Sequence, residues 1–321
     1  MPYIYPSSYQ PPFLKSNPHY QTMYHSEIRR VKGINYIREQ IDTTDGDFIN
    51  LDWVKNNHHR AAIVIHGLES STNKSYLKGM VKALATRGFD CAAMNLRSCG
   101  GEMNRTNIFY NAGKIDDLDD VVRHLEMLGY QEIVLCGFSL GGNLALKYVA
   151  EKENKISKSI FRCAAVSAPI DLKSSSEALE EQRNLFYNRR FVMKLHKKMQ
   201  SKALLQPGSV SLDNFTMVKT LRDYDEHYTA PMFGYQNAED YYLHASSRPQ
   251  LHQIAIPTFL INAKDDPFLG DSCFPVEEAI SNPLFYFEQT DFGGHIGFLT
   301  SKVAEYWHET RVANFLSGNT P

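Results

Sequence analysis

The sequence predicts an α/β fold: a mostly parallel central sheet with helices on both faces, an N-terminal arm over residues 1–30 and a helical insertion over 170–253. Three observations carry that reading. Short apolar or β-branched runs alternate with amphipathic stretches from residue 61 to residue 167, the pattern of a parallel sheet buried under helices. The alternation stops over 170–253, where charge and tyrosine dominate and strand signals are few. Strand-like runs return at 257–262 and 284–288, and these need the earlier strands as neighbours. One interrupted domain spanning residues 1–321 explains this better than two tandem ones.

The elements follow in order. Up to about Arg30 the chain is rich in proline and aromatics with little periodicity, which suggests an extended arm laid over a domain surface. Residues 34–41 and 48–54 read as strands joined by TTDG, a good hairpin turn. Residues 61–66 read as a buried strand and 75–87 as a helix stopped by Gly88. Residues 90–95 form the next strand, and 115–128 a helix stopped by Gly129. Then come a strand over 132–137, a helix over 140–152 and a strand over 160–167. After the insertion and its two returning strands, a last helix is expected over 301–316.

Composition narrows the function classes. The 321 residues carry a formal net charge of -2 and 43% hydrophobic side chains. That balance gives no electrostatic footprint for nucleic acid. The opening MPYIYPSSYQPP lacks the basic and apolar regions of a secretory signal. No apolar run approaches the eighteen or so residues of a membrane span. Five scattered cysteines without a CxxC pair fit reduced thiols in the cytoplasm, with Cys136 and Cys163 as core filler. Neither a metal nor another cofactor is expected. His58 and His59 sit in a polar turn with no carboxylate or cysteine at ligand spacing.

The strongest chemical signal is GFSLG, residues 137–141, lying between an expected strand and an expected helix. In a G-x-S-x-G elbow, a strained turn lifts the serine hydroxyl above the sheet, and small residues on either side let strand and helix approach. Ser139 is thus the candidate nucleophile, with Gly137 and Gly141 shaping the elbow. Such a serine needs a base further along the chain. After the returning strand at 257–262 only His295 and His308 remain, and His308 falls within the expected last helix. His295, in the glycine-rich FGGHIGF, is the candidate base. The orienting acid should follow the strand over 257–262, in NAKDDPF. Asp266 is favoured because Pro267 biases it toward an extended conformation, and Asp265 is the alternative. Two N–H donors should face a developing oxyanion: Leu140, after the nucleophile, and Leu68, where Gly67 lets the backbone turn inward. His66 is read as a structural residue of that loop.

Residues 183–202 place Phe191, Leu195 and Met199 at helical spacing beside a basic face. That face suits transient contact with lipid headgroups, although the commoner role of such a helix is a solvated lid.

With these motifs in view, the chain resembles the YheT-like branch of the α/β-hydrolases, a family of esterases. PPFLKSNPHYQT, Arg29-Arg30 and DGDFINLDW match that family's arm and first hairpin. HGLES, NLRSCGGE, GFSLGGNLALKY, NAKDDPF and GGHIGF follow in the expected order. The resemblance implies Ser139 as nucleophile, Asp266 as acid and His295 as base. It departs at Ser70, where the family has glycine, at Ser98 and Gly100 in RSCGGE, and at Asn111, where a histidine is common. These loops line the site entrance, so substrate preference does not carry over with the triad.

Together these readings predict a serine carboxylesterase acting on short- to medium-chain acyl esters, acylglycerols among them, through an acyl-enzyme. Acyl transfer to an alcohol, or thioester hydrolysis, would use the same three residues. A non-catalytic binding protein on this scaffold would be expected to have lost one of them.

Overall fold

The computed structural model describes residues 2–12, 16–301 and 305–321. Among these residues nine strands form one sheet in the order β1-β9-β8-β7-β6-β4-β5-β3-β2. They are β1 (Tyr3–Ile4), β2 (Ile37–Asp42), β3 (Phe48–Val54), β4 (Arg60–Ile65), β5 (Phe89–Asn95), β6 (Glu132–Phe138), β7 (Ile160–Val166), β8 (Thr258–Ala263) and β9 (Phe285–Thr290). The hairpin β2–β3 and the pair β3–β5 are antiparallel, and the remaining pairs are parallel. The alternation of side chains along each strand divides the core between two faces. On β4, Ile63 and Ile65 enter one cluster while Ala62 and Val64 enter the other. On β6, Ile133 and Leu135 face the first, and Val134, Cys136 and Phe138 the second.

The arm is more ordered than an extended strap. It adds β1 to the sheet edge beside β9 and forms helix α1 (Pro18–Met23), continued by a π-turn over Tyr24–Ile28. Asn17 caps α1 through the Tyr20 N–H, with Pro18 in the first turn, a start signal the sequence carries locally. Helix α2 (Ser75–Ala85) covers the second face. Helices α3 (Asp116–Met127) and α4 (Leu140–Lys152) cover the first.

Between β7 and β8 lie α5 (Leu172–Glu180), α6 (Leu185–Leu205), α7 (Leu221–Tyr224), α8 (Ala230–Phe233) and α9 (Ala238–Ala245). Asn143 on α4 ties this region down: its Nδ2 donates to Ala112 O and Ala245 O, and its Oδ1 accepts the Ser247 N–H. Helix α10 (Val276–Ser281) precedes β9. The last helix, α11 (Trp307–Leu316), packs on α2 and β7. It begins later than the expected residue 301. Ser301 lies in a bend, residues 302–304 fall outside those described, and a capping box between Tyr306 and Glu309 sets the start. The strand expected over 34–41 is likewise shifted, to Ile37–Asp42.

The face of α6 expected to meet solvent or lipid turns inward. Leu195 and Met199 are buried. Lys198 reaches the Glu69 carboxylate, and Lys202 donates to the carbonyls of Asn104 and Thr106. Phe186 and Met193 are the exposed apolar side chains of this helix's first half. Among the described residues, no helix is long and apolar enough to cross a membrane.

Candidate active site

The sheet order changes direction around β4, which has β5 on one side and β6 on the other. The crevice beyond the strand ends at such a point is where ligands bind in open α/β sheets. Two segments meet there, the loop after β4 and the turn from β6 into α4.

Ser139 occupies that turn with φ 53° and ψ -125°, a strained conformation for a residue with a side chain. The strain persists because the surroundings leave no alternative. A Cβ on Gly137 would lie 2.1 Å from Gly141 O, and one on Gly141 would lie 2.5 Å from His66 O. Both glycines are required by close backbone approach, as the motif predicts.

The Ser139 Oγ lies 2.9 Å from His295 Nε2. His295 Nδ1 faces both Asp266 oxygens, Oδ2 at 2.9 Å and Oδ1 at 3.1 Å. Asp266 and His295 are buried, and the Phe268 ring centre lies 4.2 Å from that of the imidazole. The Phe268 N–H donates to Asp266 Oδ1, which fixes the carboxylate from the other side. The structure therefore brings the three expected residues into one hydrogen-bonded line.

Asp265 points elsewhere. Its Oδ1 accepts the Gly294 N–H at 2.8 Å, and its buried Oδ2 has no hydrogen-bond partner within bonding geometry among the described residues. Burial pushes its carboxyl up to about 6, against the pull of the Gly294 and Gly293 N–H groups. It braces the loop that carries the histidine. Three further supports escaped the sequence reading. Thr22 Oγ1, from the arm, accepts the His295 N–H at 2.9 Å. Ser167 Oγ, after β7, accepts the Ile296 N–H at 2.9 Å. Gln21 Oε1 accepts from the Leu299 N–H and the Tyr9 hydroxyl. Only the Asn17-Pro18 helix start hints at this arrangement.

The loop after β4 runs against the serine, since a Cβ on Gly67 would lie 2.9 Å from Ser139 Cβ. Around Leu68 the neighbouring amides are engaged: Gly67 N–H donates to the Tyr76 hydroxyl and Glu69 N–H to the Tyr110 hydroxyl. Glu69 itself has φ 47° and is held by Lys198, Tyr110 and, at its carbonyl, Lys194. His66 is structural, as expected. Its Nδ1 meets Gly67 O, its Nε2 accepts the Leu96 N–H, and burial lowers its pKa to about 4. Leu140 opens α4 immediately after the serine.

Two cavities flank Ser139 and His295. One mixes apolar side chains such as Met23, Leu68 and Phe191 with the charged Glu27, Lys74, Arg190 and Lys194. The other is apolar, with Leu68, Leu140, Leu172, Leu179, Phe191 and Leu221 on its walls. The five cysteines are unpaired. Among the described residues, no group of three or more histidine, cysteine or carboxylate side chains is arranged to hold a metal ion.

Comparison with known proteins agrees with this architecture. A family model for the alpha/beta hydrolase fold matches residues 62–301. The chain is 33% identical to the Escherichia coli (strain K12) protein named "Putative esterase YheT", over 94% of this chain and 91% of that one. It is 30% identical to human Phospholipase ABHD3, over 87% of this chain and 70% of the relative. Among solved structures, the Pyrococcus furiosus esterase Pf2001 superposes with a TM-score of 0.60 at 19% identity, covering 88% of this chain and 90% of that one; at that identity the likeness concerns the fold alone. With the motifs, the sheet order and these relatives in agreement, the chain belongs to the YheT-like branch of the α/β-hydrolases.

Proposed function

We propose that this protein is a serine carboxylesterase working through an acyl-enzyme. The observation that carries the proposal is the line Ser139–His295–Asp266, closed by contacts of 2.9 Å at both ends of the imidazole. In this reading Ser139 Oγ attacks the ester carbonyl while His295 Nε2 takes its proton. Asp266 holds the tautomer and stabilises the imidazolium without itself taking the proton. The backbone N–H groups of Leu68 and Leu140 receive the oxyanion. The C–O bond to the alcohol then breaks as His295 returns the proton to the leaving oxygen. A water, deprotonated by the same imidazole, releases the acid.

The linings of the two cavities support a division of the substrate into an acyl half and an alcohol half. The apolar side suits a short- to medium-chain acyl group. The side that also carries Glu27, Lys74, Arg190 and Lys194 suits the more polar alcohol half. The names of the relatives, an esterase and a phospholipase, support an ester or lipid substrate. The helices over 170–253 contribute Phe191 and Leu221 to the apolar wall and so act as its lid.

The test is hydrolysis of p-nitrophenyl esters of increasing acyl length by the wild type and by Ser139→Ala. The wild type should turn over, and label covalently with a fluorophosphonate, with a preference for short to medium chains. Ser139→Ala should lose both labelling and about 10³–10⁴ or more of the rate. Full activity in Ser139→Ala, or none in the wild type with any chain, overturns the proposal. Product analysis with and without ethanol distinguishes hydrolysis from acyl transfer.

A further inference from the structure

The apolar cavity contains one feature that an alkyl chain alone would not call for. Its lining includes Asp225, in the turn after α7. This side chain is buried, and no arginine or lysine pairs with it among the described residues. Its partners are two hydroxyls: Thr229 Oγ1 at 2.7 Å on Oδ1 and Tyr242 at 2.9 Å on Oδ2. The Tyr242 oxygen also meets Ser176 Oγ at 3.1 Å, and Ser176 lines the same cavity. Burial pushes the Asp225 carboxyl up to about 7, against the pull of both hydroxyls.

A carboxyl without a counter-charge in an apolar wall costs folding free energy. A carboxylate offers about four lone-pair positions, and the two hydroxyls occupy two. What remains beside the cavity is acceptor capacity at the end of a short chain of hydroxyls, Ser176–Tyr242–Asp225. The same residue also borders a neighbouring cavity with Leu68, Leu140 and Tyr241. A group with a hydrogen to donate satisfies this wall, and a methylene does not.

We infer that Asp225 is a specificity determinant that accepts a hydrogen bond from a hydroxyl on the acyl chain, so that the preferred substrates are hydroxyacyl esters rather than plain alkanoyl ones. The inference rests on the assignment of the apolar cavity to the acyl half. Sites built to pair a substrate hydroxyl discriminate strongly against analogues lacking it, because their own buried group is otherwise left unpaired.

The experiment compares kcat/KM for p-nitrophenyl alkanoates with their β-hydroxy and ω-hydroxy counterparts of equal length. The wild type should prefer at least one hydroxylated series by about tenfold or more. Asp225→Leu should remove or reverse that preference, read as the ratio of kcat/KM between the hydroxylated and the plain ester. Asp225→Asn, of the same shape and still an acceptor, should retain part of it. Wild-type indifference to the hydroxyl in both positions overturns the inference without use of any variant. So does an undiminished preference in a folded Asp225→Leu. Either result leaves the esterase reading standing as long as Ser139→Ala is inactive, and an active Ser139→Ala overturns that reading instead.

Discussion

Gly67 lies so close to Ser139 that an added Cβ would sit 2.9 Å from the serine Cβ and 3.3 Å from its Oγ. Ser139, the proposed nucleophile, and the loop after β4 are thus in direct contact, with no room for a side chain between them. Gly67 is also outside the left-handed region, so alanine there is opposed by this contact and not by its own backbone preference. Gly67→Ala should therefore fold with little change in Tm yet displace the serine or the loop by a fraction of an ångström. A loss of about 10²-fold in kcat is expected, the scale of small misplacements of reacting groups. Steady-state kinetics beside a thermal melt checks this, and a large fall in Tm at unchanged kcat would contradict it.

The adjacent acids Asp265 and Asp266 should separate cleanly. Asp266→Asn places an amide against His295 Nδ1 and favours the wrong tautomer, with an expected loss of about 10⁴ in kcat. Asp265→Asn keeps an oxygen for the Gly294 N–H and does not touch the imidazole. Its activity should remain near that of the wild type. Equal losses in the two variants would mean that the loop brace matters as much as the hydrogen bond to histidine.

Much of this site was legible in the sequence because its demands are local. The elbow needs two glycines within five residues. The order of serine, acid and histidine left few candidates, and the resemblance pointed to the same three. What could not be read depended on distant partners. Lys198 and Lys202 resemble a solvated stripe until Glu69 and the carbonyls of Asn104 and Thr106, roughly a hundred residues away, draw them inward. Asp225 sits in DYDEHY, a charged run that reads as surface, and is buried only because α7, α9 and the adjoining turns fold over the strand ends. The arm's helix spans six residues, too few for a periodic pattern to emerge, so the contribution of Thr22 to the histidine loop stayed hidden.

Asp225 also gives a stability prediction. Its folded pKa, about 7, lies above the ordinary 3.8, so the native state holds this proton more tightly than the unfolded chain. The stability this provides is fully present below about pH 4 and is lost as pH rises through about 7. Asp225→Asn carries no titrating group. Relative to the wild type it should gain as pH increases across that window, by as much as about 4 kcal/mol. Urea unfolding of both proteins at about pH 4 and about pH 8 measures the change, and a difference that does not move with pH would contradict the burial of a carboxyl without a counter-charge.

The last prediction concerns how the arm is held. Arg29 Nη1 and Nη2 meet Glu309 Oε1 and Oε2 at 2.5 and 2.8 Å, with both side chains almost wholly buried. The guanidinium also lies over the Tyr306 ring, 3.6 Å from its centre. Glu309 in turn accepts the Tyr306 N–H at the start of α11. One carboxylate thus joins the end of the arm to the last helix and to α2, where a Cβ on Gly79 would strike Glu309 Oε1. Glu309→Gln leaves the guanidinium buried without its counter-charge, an expected cost of about 3–5 kcal/mol. Replacing both partners, as Arg29→Met with Glu309→Leu, should recover much of that loss, since neither charge is then buried. Because α1 supplies Thr22 to the histidine loop, Glu309→Gln should also lose activity at temperatures below its own unfolding midpoint. Coincident loss of activity and of global structure would instead show that the arm comes away only when the whole molecule unfolds.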